Sequence, residues 1–292
     1  MMKRLLTLTG CALLLGALAS LSNPLAVRAA GPDRIGCLPM KDISGGRMAF
    51  RSGESLVFAM HYRWGAINSD VAKGYFTVDS LQYAGQPAYS CRLFGRTAKF
   101  FDPFFKVRED FRSTISCRDL RPLRFTRDTH EGGYFALDEY RYLWNAPTPH
   151  IAADLNSKNR GKRTKEFSLD RCTFDFMSLL FIARNVDLSR MQVNRKYHVA
   201  FALGGNVSDI YLIYKGRENR TIKGIGTVKA VKFGIQLVES EQFNDGTDMY
   251  MWFSDDDNRI PVCFDAPIKT GVISGRLESW EGLKHPFKAL VR

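Results

Sequence analysis

The sequence predicts a mainly β protein in which a strongly curved antiparallel sheet, a half-barrel, encloses one apolar helix near residues 174–185. Two observations lead to this prediction. Short segments rich in aromatic and β-branched residues alternate along the chain with turn-forming Gly, Pro, Asp and Asn. One segment lacks Gly and Pro and is apolar on nearly every side, which is typical of a helix that other elements surround.

Residues 1–29 have the features of a secretory signal peptide. Lys3 and Arg4 give a basic start, residues 5–21 form an apolar run, and Ala29 supplies a small residue before a cleavage site. The run is short for a membrane span and is interrupted by Gly and Ser. We therefore expect cleavage close to Ala29 and a periplasmic or otherwise exported protein.

A lipoprotein signal is the alternative for this leader. Residues 8–11 fit the pattern at which bacterial lipoproteins are cut and acylated on a cysteine, here Cys11. Few apolar residues precede Cys11, however, and a stronger apolar run follows it. The sequence therefore favours an ordinary signal peptide.

Residues 30–49 contain several Gly and Pro residues and show no periodicity, so we expect a flexible N-terminal arm. A single β-rich domain should follow over residues 50–292. Short strands with short connections predict antiparallel pairing. The predicted strands cover residues 55–62, 74–81, 88–97, 107–115, 122–128, 139–144, 150–153, 196–201, 210–214, 226–233, 236–241, 248–253, 260–265 and 271–280.

The predicted helix covers residues 174–185. Thr173 is a suitable N-cap residue, and Asp175 places a negative charge in the first turn. Two interpretations of the apolar helix remain open, because it could serve only as a core plug or could also line a ligand cavity. Its residues Phe176, Leu180 and Phe181 are the candidates for such a lining.

Three consecutive carboxylates, Asp255 to Asp257, raise the question of a calcium site. Counted as an EF-hand loop from Asp255, the sequence has Ile260 where Gly is required and Ala266 where the last Glu is required. A polar hairpin turn is therefore the preferred interpretation.

The chain is basic, with 42 Lys and Arg against 30 Asp and Glu. Only three of these basic residues lie in the leader, so the excess remains after cleavage and favours anionic surfaces such as phospholipid headgroups. Peripheral membrane contact is therefore consistent with the composition. The densest basic cluster, residues 158–165, lies among Asn, Ser and Gly without aromatic residues, which predicts a solvated loop and no nucleic-acid surface.

Five cysteines follow the leader, and an exported chain meets an oxidising compartment, so up to two disulfides are expected. Cys91 and Cys117 lie in or beside neighbouring predicted strands, which makes them a candidate pair. The five His residues and the cysteines lack metal-ligand spacing, so neither a metal site nor a cofactor is expected.

Several weak motifs recur in a characteristic order and spacing. They are Arg51–Glu54 before the first strand, Asp175–Ser178 and Ala183–Arg184 in the helix, Met251–Asp255, Arg259–Val262, and Gly271–Leu277. Together they resemble the bacterial exported family known as the domain of unknown function 3108. The resemblance implies a fold similar to lipoprotein-carrier half-barrels, and the family name implies no activity.

The leading functional hypothesis is an envelope protein that binds a lipid, an acyl chain or another apolar ligand, with Trp252 added to the three helix residues as a lining candidate. The alternative is an envelope structural or assembly factor that acts through protein contacts, for which the aromatic run over residues 100–105 is the candidate surface. No nucleophile elbow, zinc-protease helix or phosphate-binding Gly loop is present, so an enzyme is not expected.

Overall fold

The computed structural model describes residues 37–169, 172–237, 249–268 and 271–291. In these ranges fifteen strands form one sheet, and a single α-helix packs against it. The expected fold class is confirmed, because the protein is mainly β and its sheet is antiparallel apart from one short edge pairing. The predicted signal peptide and the beginning of the predicted arm lie outside the described residues. Among those described, no helix is long and apolar enough to cross a membrane.

The strands follow a meander in which nearly every strand pairs with its neighbours in sequence. Their order across the sheet is β8-β7-β6-β5-β4-β3-β2-β1-β15-β14-β13-β12-β11-β10-β9. The helix α1 covers Phe176–Arg184. The strands are β1 Glu54–Trp64, β2 Ile67–Tyr83, β3 Gln86–Thr97, β4 Val107–Ser116, β5 Pro122–Glu131, β6 Tyr134–Leu143, β7 His150–Ser157, β8 Gly161–Ser168, β9 Thr173–Phe174, β10 Lys196–Leu203, β11 Asn206–Ile222, β12 Gly226–Leu237, β13 Met249–Ser254, β14 Pro261–Ile268 and β15 Gly271–Glu281.

The sheet curves until its two ends approach each other. Helix α1 contacts β3 and β4 in the middle of the strand order and β10 near one end. Gly205, in the turn between β10 and β11, donates its N–H to the Tyr140 hydroxyl at 2.7 Å and accepts a hydrogen bond from Lys165 Nζ at 2.8 Å. Since Tyr140 lies in β6 and Lys165 in β8, these bonds connect the opposite ends of the sheet and leave an open barrel.

Part of the predicted basic loop over residues 158–165 is a strand. Its second half pairs with β7 as the edge strand β8, in which Arg163 and Lys165 alternate with more exposed neighbours. Charged residues are well suited to an edge strand, because they oppose pairing with other chains. The loop prediction is therefore correct only for the turn that precedes Gly161.

The segment before β1 is packed more tightly than a flexible arm. Leu38, Met48 and Ala49 are buried, and the Ala49 N–H donates to Asn185 Oδ1 at 2.9 Å. Residues 41–47 are exposed apart from Ile43, so the expectation of a flexible arm over residues 30–49 is contradicted only at the buried residues on either side of them. Local composition did not reveal that this segment packs against the far end of α1.

The expected pairing of Cys91 with Cys117 is wrong. Both are free thiols, and the disulfide joins Cys37 to Cys172 across 135 residues. In the β3–β4 ladder, Cys91 faces Ser113, while Cys117 lies beyond the end of β4. The pairing fails because, in the hairpin register, Cys117 is four residues beyond the position opposite Cys91.

The helix begins two residues later than expected. Asp175, rather than Thr173, is the N-cap residue. Thr173 and Phe174 instead form β9, which pairs parallel with Ala200 and Phe201 of β10. The residues of α1 from Leu180 to Arg184 are buried, as expected for a helix that the sheet surrounds.

The Asp-rich segment is a turn between β13 and β14. Asp256 Oδ1 accepts hydrogen bonds from Ser254 Oγ and from the N–H groups of Asn258 and Arg259. The carboxylate is thus used within the turn, in agreement with the hairpin interpretation. Within the described ranges no group of three or more His, Cys, Asp or Glu side chains is arranged to hold a metal ion.

Candidate functional site

The first turn of α1 is fixed to the sheet by a buried capping box. Asp175 Oδ1 accepts from the Ser178 N–H at 2.8 Å, and Ser178 Oγ accepts from the Asp175 N–H at 2.9 Å. Ser113 Oγ of β4 donates to Asp175 Oδ2 at 2.7 Å. Complete burial raises the pKa of Asp175 to about 6, although these hydrogen bonds oppose the shift.

The last turn of α1 is held by a buried ion pair. Arg184 Nη1 and Nη2 donate to the two carboxylate oxygens of Glu54 at 2.5 and 2.8 Å, and Nη2 also donates to the Asn258 carbonyl at 3.0 Å. The guanidinium carbon lies 5.3 Å from the ring centre of Phe50 and 5.4 Å from that of Phe181. Both ends of the helix are therefore fixed, and this determines which helix residues face which strands.

An apolar cavity of about 70 Å³ lies between α1 and the sheet at β10 to β13. Four helix residues at the spacing i, i+3, i+4 and i+7 form one wall, as expected for one face of an α-helix. All the lining residues are apolar. They are Phe176, Leu179, Leu180, Ala183, Phe201, Ile210, Leu212, Phe233, Ile235, Met249, Met251 and Phe253.

The structure places two of the four predicted lining residues, Phe176 and Leu180, on the cavity wall. Phe181 lies on another side of α1, where its ring packs edge-on against Phe50 with 4.7 Å between ring centres. Phe181 is therefore a core residue, because one step along the helix turns a side chain by about 100°.

Trp252 is also absent from the cavity wall. Its neighbours Met251 and Phe253 line the cavity, and Trp252 points to the other face of β13. There its Nε1 donates to Glu218 Oε1 at 2.6 Å, and the Arg220 guanidinium lies 4.3 Å from its ring centre. Trp252 belongs to the core cluster that includes Ala289 of the C-terminal segment.

Most of the cavity wall comes from strand residues that were not predicted as site residues. Met249, Met251 and Phe253 alternate along β13, and Phe233 and Ile235 alternate along β12. This alternation is visible in the sequence and is the signal that could have found them. It does not by itself show which face of a strand meets the helix.

A separate polar cluster lies on the inner side of β4 to β6. Thr129 Oγ1 donates to Glu109 Oε2 at 2.6 Å and accepts from Arg127 Nε at 2.9 Å, while Arg127 Nη1 lies 3.6 Å from Asp138 Oδ2. Burial raises the pKa values of Glu109 and Asp138, more than the nearby Arg127 lowers them. None of these residues lines the apolar cavity, so the two features are chemically distinct.

The fold and the cavity define a class: open β-barrel proteins with an internal helix and an apolar cavity beside it. The sequence pattern of the family described as "Protein of unknown function (DUF3108)" matches residues 57–278. The chain belongs to this family, and the expected resemblance is confirmed.

Two solved structures are similar to this chain over 80% of its length. One is a β-barrel-like protein of the domain of unknown function DUF1849 from Brucella abortus, with 10% identity, a TM-score of 0.49 and 100% of that chain covered. The other is described as a candidate lipoprotein from Parabacteroides distasonis ATCC 8503, with 11% identity, a TM-score of 0.33 and 98% of that chain covered. No curated protein sequence matches.

Proposed function

We propose that this protein binds an apolar molecule, such as an acyl chain or a lipid tail, between α1 and strands β10 to β13. The observation that carries the proposal is the composition of the cavity wall, in which all twelve residues are apolar. Ligand sites are typically concave and lined mainly by hydrophobic and aromatic side chains. The wall contains no acid, base or nucleophile, which supports binding rather than catalysis.

The cavity volume implies that part of the wall moves when a ligand enters. At about 70 Å³ the cavity is smaller than the roughly 300–1,000 Å³ of typical ligand sites. Five of its lining residues are only partly buried: Phe176, Leu179, Ile235, Met249 and Met251. Since methionine side chains are unbranched and adapt to irregular spaces, Met249 and Met251 are the residues that we expect to move first.

The proposed compartment is outside the cytoplasm. The disulfide between Cys37 and Cys172 supports this assignment, because such bonds persist mainly in oxidising compartments. The basic start and apolar run at the N-terminus support it as well. An excess of positive charge also suits ligands with anionic headgroups.

The test is a titration of the exported protein with a fluorescent fatty acid. We expect Met251→Gln to weaken binding by about tenfold or more, because it places an amide against the apolar chain without a hydrogen-bond partner. Tyr250→Gln is the matched control on the opposite face of the same strand, where Tyr250 lies beside Lys232. Failure of the wild type to bind the probe, or equal effects of the two substitutions, contradicts the proposal.

Native mass spectrometry of the protein from its own envelope provides a second readout. We expect a mass increment that corresponds to a lipid or fatty acid. A protein partner that is retained without lipid would instead indicate an envelope assembly factor and would reject ligand binding as the main function.

A further inference from the structure

An exposed aromatic cluster lies in the turn between β3 and β4. The Phe100 side chain is 75% exposed and that of Phe104 is 62% exposed. Phe101 joins them, with its ring centre 5.2 Å from that of Phe100 in an edge-on arrangement. Large side chains with this exposure in one cluster usually mark a contact surface.

The turn is braced, so the rings are held outward by the fold. The N–H groups of Phe104 and Phe105 both donate to the Phe101 carbonyl, at 3.0 and 2.9 Å. Asp102 accepts two hydrogen bonds from the Arg108 guanidinium, at 3.0 and 2.6 Å, and this interaction lowers the pKa of Asp102 to about 2. The acidic side chain of the turn is therefore paired with a neighbouring base.

Basic side chains surround the aromatic cluster on the same rim of the barrel. Lys99 and Lys106 flank it in sequence and are both exposed. Antiparallel strands bring every second turn to one rim, so the turns β3–β4, β5–β6 and β7–β8 lie side by side. Gly132 donates its N–H to the Lys106 carbonyl at 2.8 Å, and Lys158 Nζ donates to the Gly133 carbonyl at 2.6 Å.

The β7–β8 turn adds more positive charge to this rim. Lys158, Arg160 and Lys162 are exposed there. The rim thus combines rings that can enter the headgroup region with five bases that can contact phosphates: Lys99, Lys106, Lys158, Arg160 and Lys162. Aromatic residues and clustered bases in this combination suit the surface of an anionic bilayer.

We propose that this rim, formed by residues 98–106 and 158–162, docks the protein on the surface of an anionic phospholipid bilayer. Phe100 and Phe104 insert among the headgroups, and the five bases contact lipid phosphates. The charge of the rim selects this occupant over an apolar protein surface. The proposal does not depend on ligand binding in the cavity.

The test is sedimentation of the exported protein with phosphatidylcholine vesicles that either contain or lack phosphatidylglycerol. Intact mass first shows that the apolar leader has been removed, so that it does not contribute to binding. We expect binding only to the anionic vesicles, and we expect salt to weaken it. Phe100→Ser with Phe104→Ser should reduce the partition coefficient at least about tenfold.

A second variant tests the contribution of positive charge to vesicle binding, and a third is a control. Lys99→Glu with Lys106→Glu should also weaken binding about tenfold or more, because each base near the surface contributes to attraction. Val193→Ser is the control, since Val193 is 56% exposed on the opposite rim and its substitution should leave vesicle binding unchanged. Thermal melts of all variants should match the wild type, because every substituted side chain is exposed.

Two results would overturn the proposal. One is absence of vesicle binding, and the other is binding that survives loss of both rings. If vesicle binding is absent and light scattering shows a dimer that the Phe100→Ser with Phe104→Ser variant abolishes, the rim is instead assigned to contact with a second copy of the chain.

Discussion

Replacing Arg184 by Met tests whether the buried ion pair holds the end of α1. The side chains of Arg184 and Glu54 are each only 1% exposed. The substitution leaves the Glu54 carboxylate buried without its cation, and it removes a donor from the Asn258 carbonyl. Removing one partner of such a pair costs about 3–5 kcal/mol. We expect the free energy of unfolding to fall by that amount.

The double variant Arg184→Met with Glu54→Leu separates the loss of the ion pair from the cost of leaving one charge buried alone. Both charges are then absent, so most of the loss should be recovered, and only about 1 kcal/mol should remain for the unpaired Asn258 carbonyl. Urea unfolding followed by tryptophan fluorescence measures these differences. Arg124→Met, which breaks an exposed pair with Glu139, is the control and should cost about 0–1 kcal/mol.

The reasoning would be refuted if Arg184→Met cost no more than the Arg124 control. It would also be refuted if the double variant were as unstable as the single variant. The first result would mean that the ion pair does not stabilise this end of the helix, and the second that the packing of Arg184 against Phe50 and Phe181, and not its charge, does so.

Two other predictions concern pH and redox state. Because burial raises the pKa of Asp175 to about 6, its contribution to stability is full below the unfolded pKa near 4 and is lost as the pH rises through 6. Asp175→Asn keeps a capping oxygen but removes the titrating carboxyl. Between pH 4.5 and 7.5 the free energy of unfolding of this variant should therefore fall less than that of the wild type, as measured by urea unfolding in steps of about one pH unit; equal slopes against pH would contradict this. Replacing Cys37 and Cys172 by Ser should cost about 2–5 kcal/mol, and a reductant should then have no further effect on the melt; a further loss would point to another disulfide.

Local patterns were sufficient for the elements whose structure depends on local periodicity. The absence of Gly and Pro and the apolar circumference of α1 predicted its position, although the predicted cap was Thr173 and the observed cap is Asp175. Strand β8 was predicted as a loop because of its basic residues, but an edge strand tolerates charges that an interior strand excludes.

The cavity wall was less accessible to prediction because it depends on which strand face meets the helix. Trp252 was chosen as a large aromatic residue, yet Met251 and Phe253 beside it face the cavity. Met249, Met251 and Phe253 alternate regularly, but the sequence alone does not show whether their face of β13 or that of Trp252 meets the helix. The Cys37–Cys172 bond was inaccessible for a similar reason, because it joins segments 135 residues apart.

The strand order has a consequence for how the chain folds. Strands β1 to β8 form a run of hairpins, and β10 to β15 form another, so each run can assemble from contacts that are local in sequence. Within the described residues, the strand pairing that joins the two runs is that of β1 with β15, for example at Leu56 with Trp280. During synthesis or export from the N-terminus, the edge of β1 therefore stays unpaired until β15, which follows all the other strands in sequence, has emerged. Until then the edge of β1 can pair with other chains, so the pairing of β1 with β15 is the step at which folding competes with aggregation.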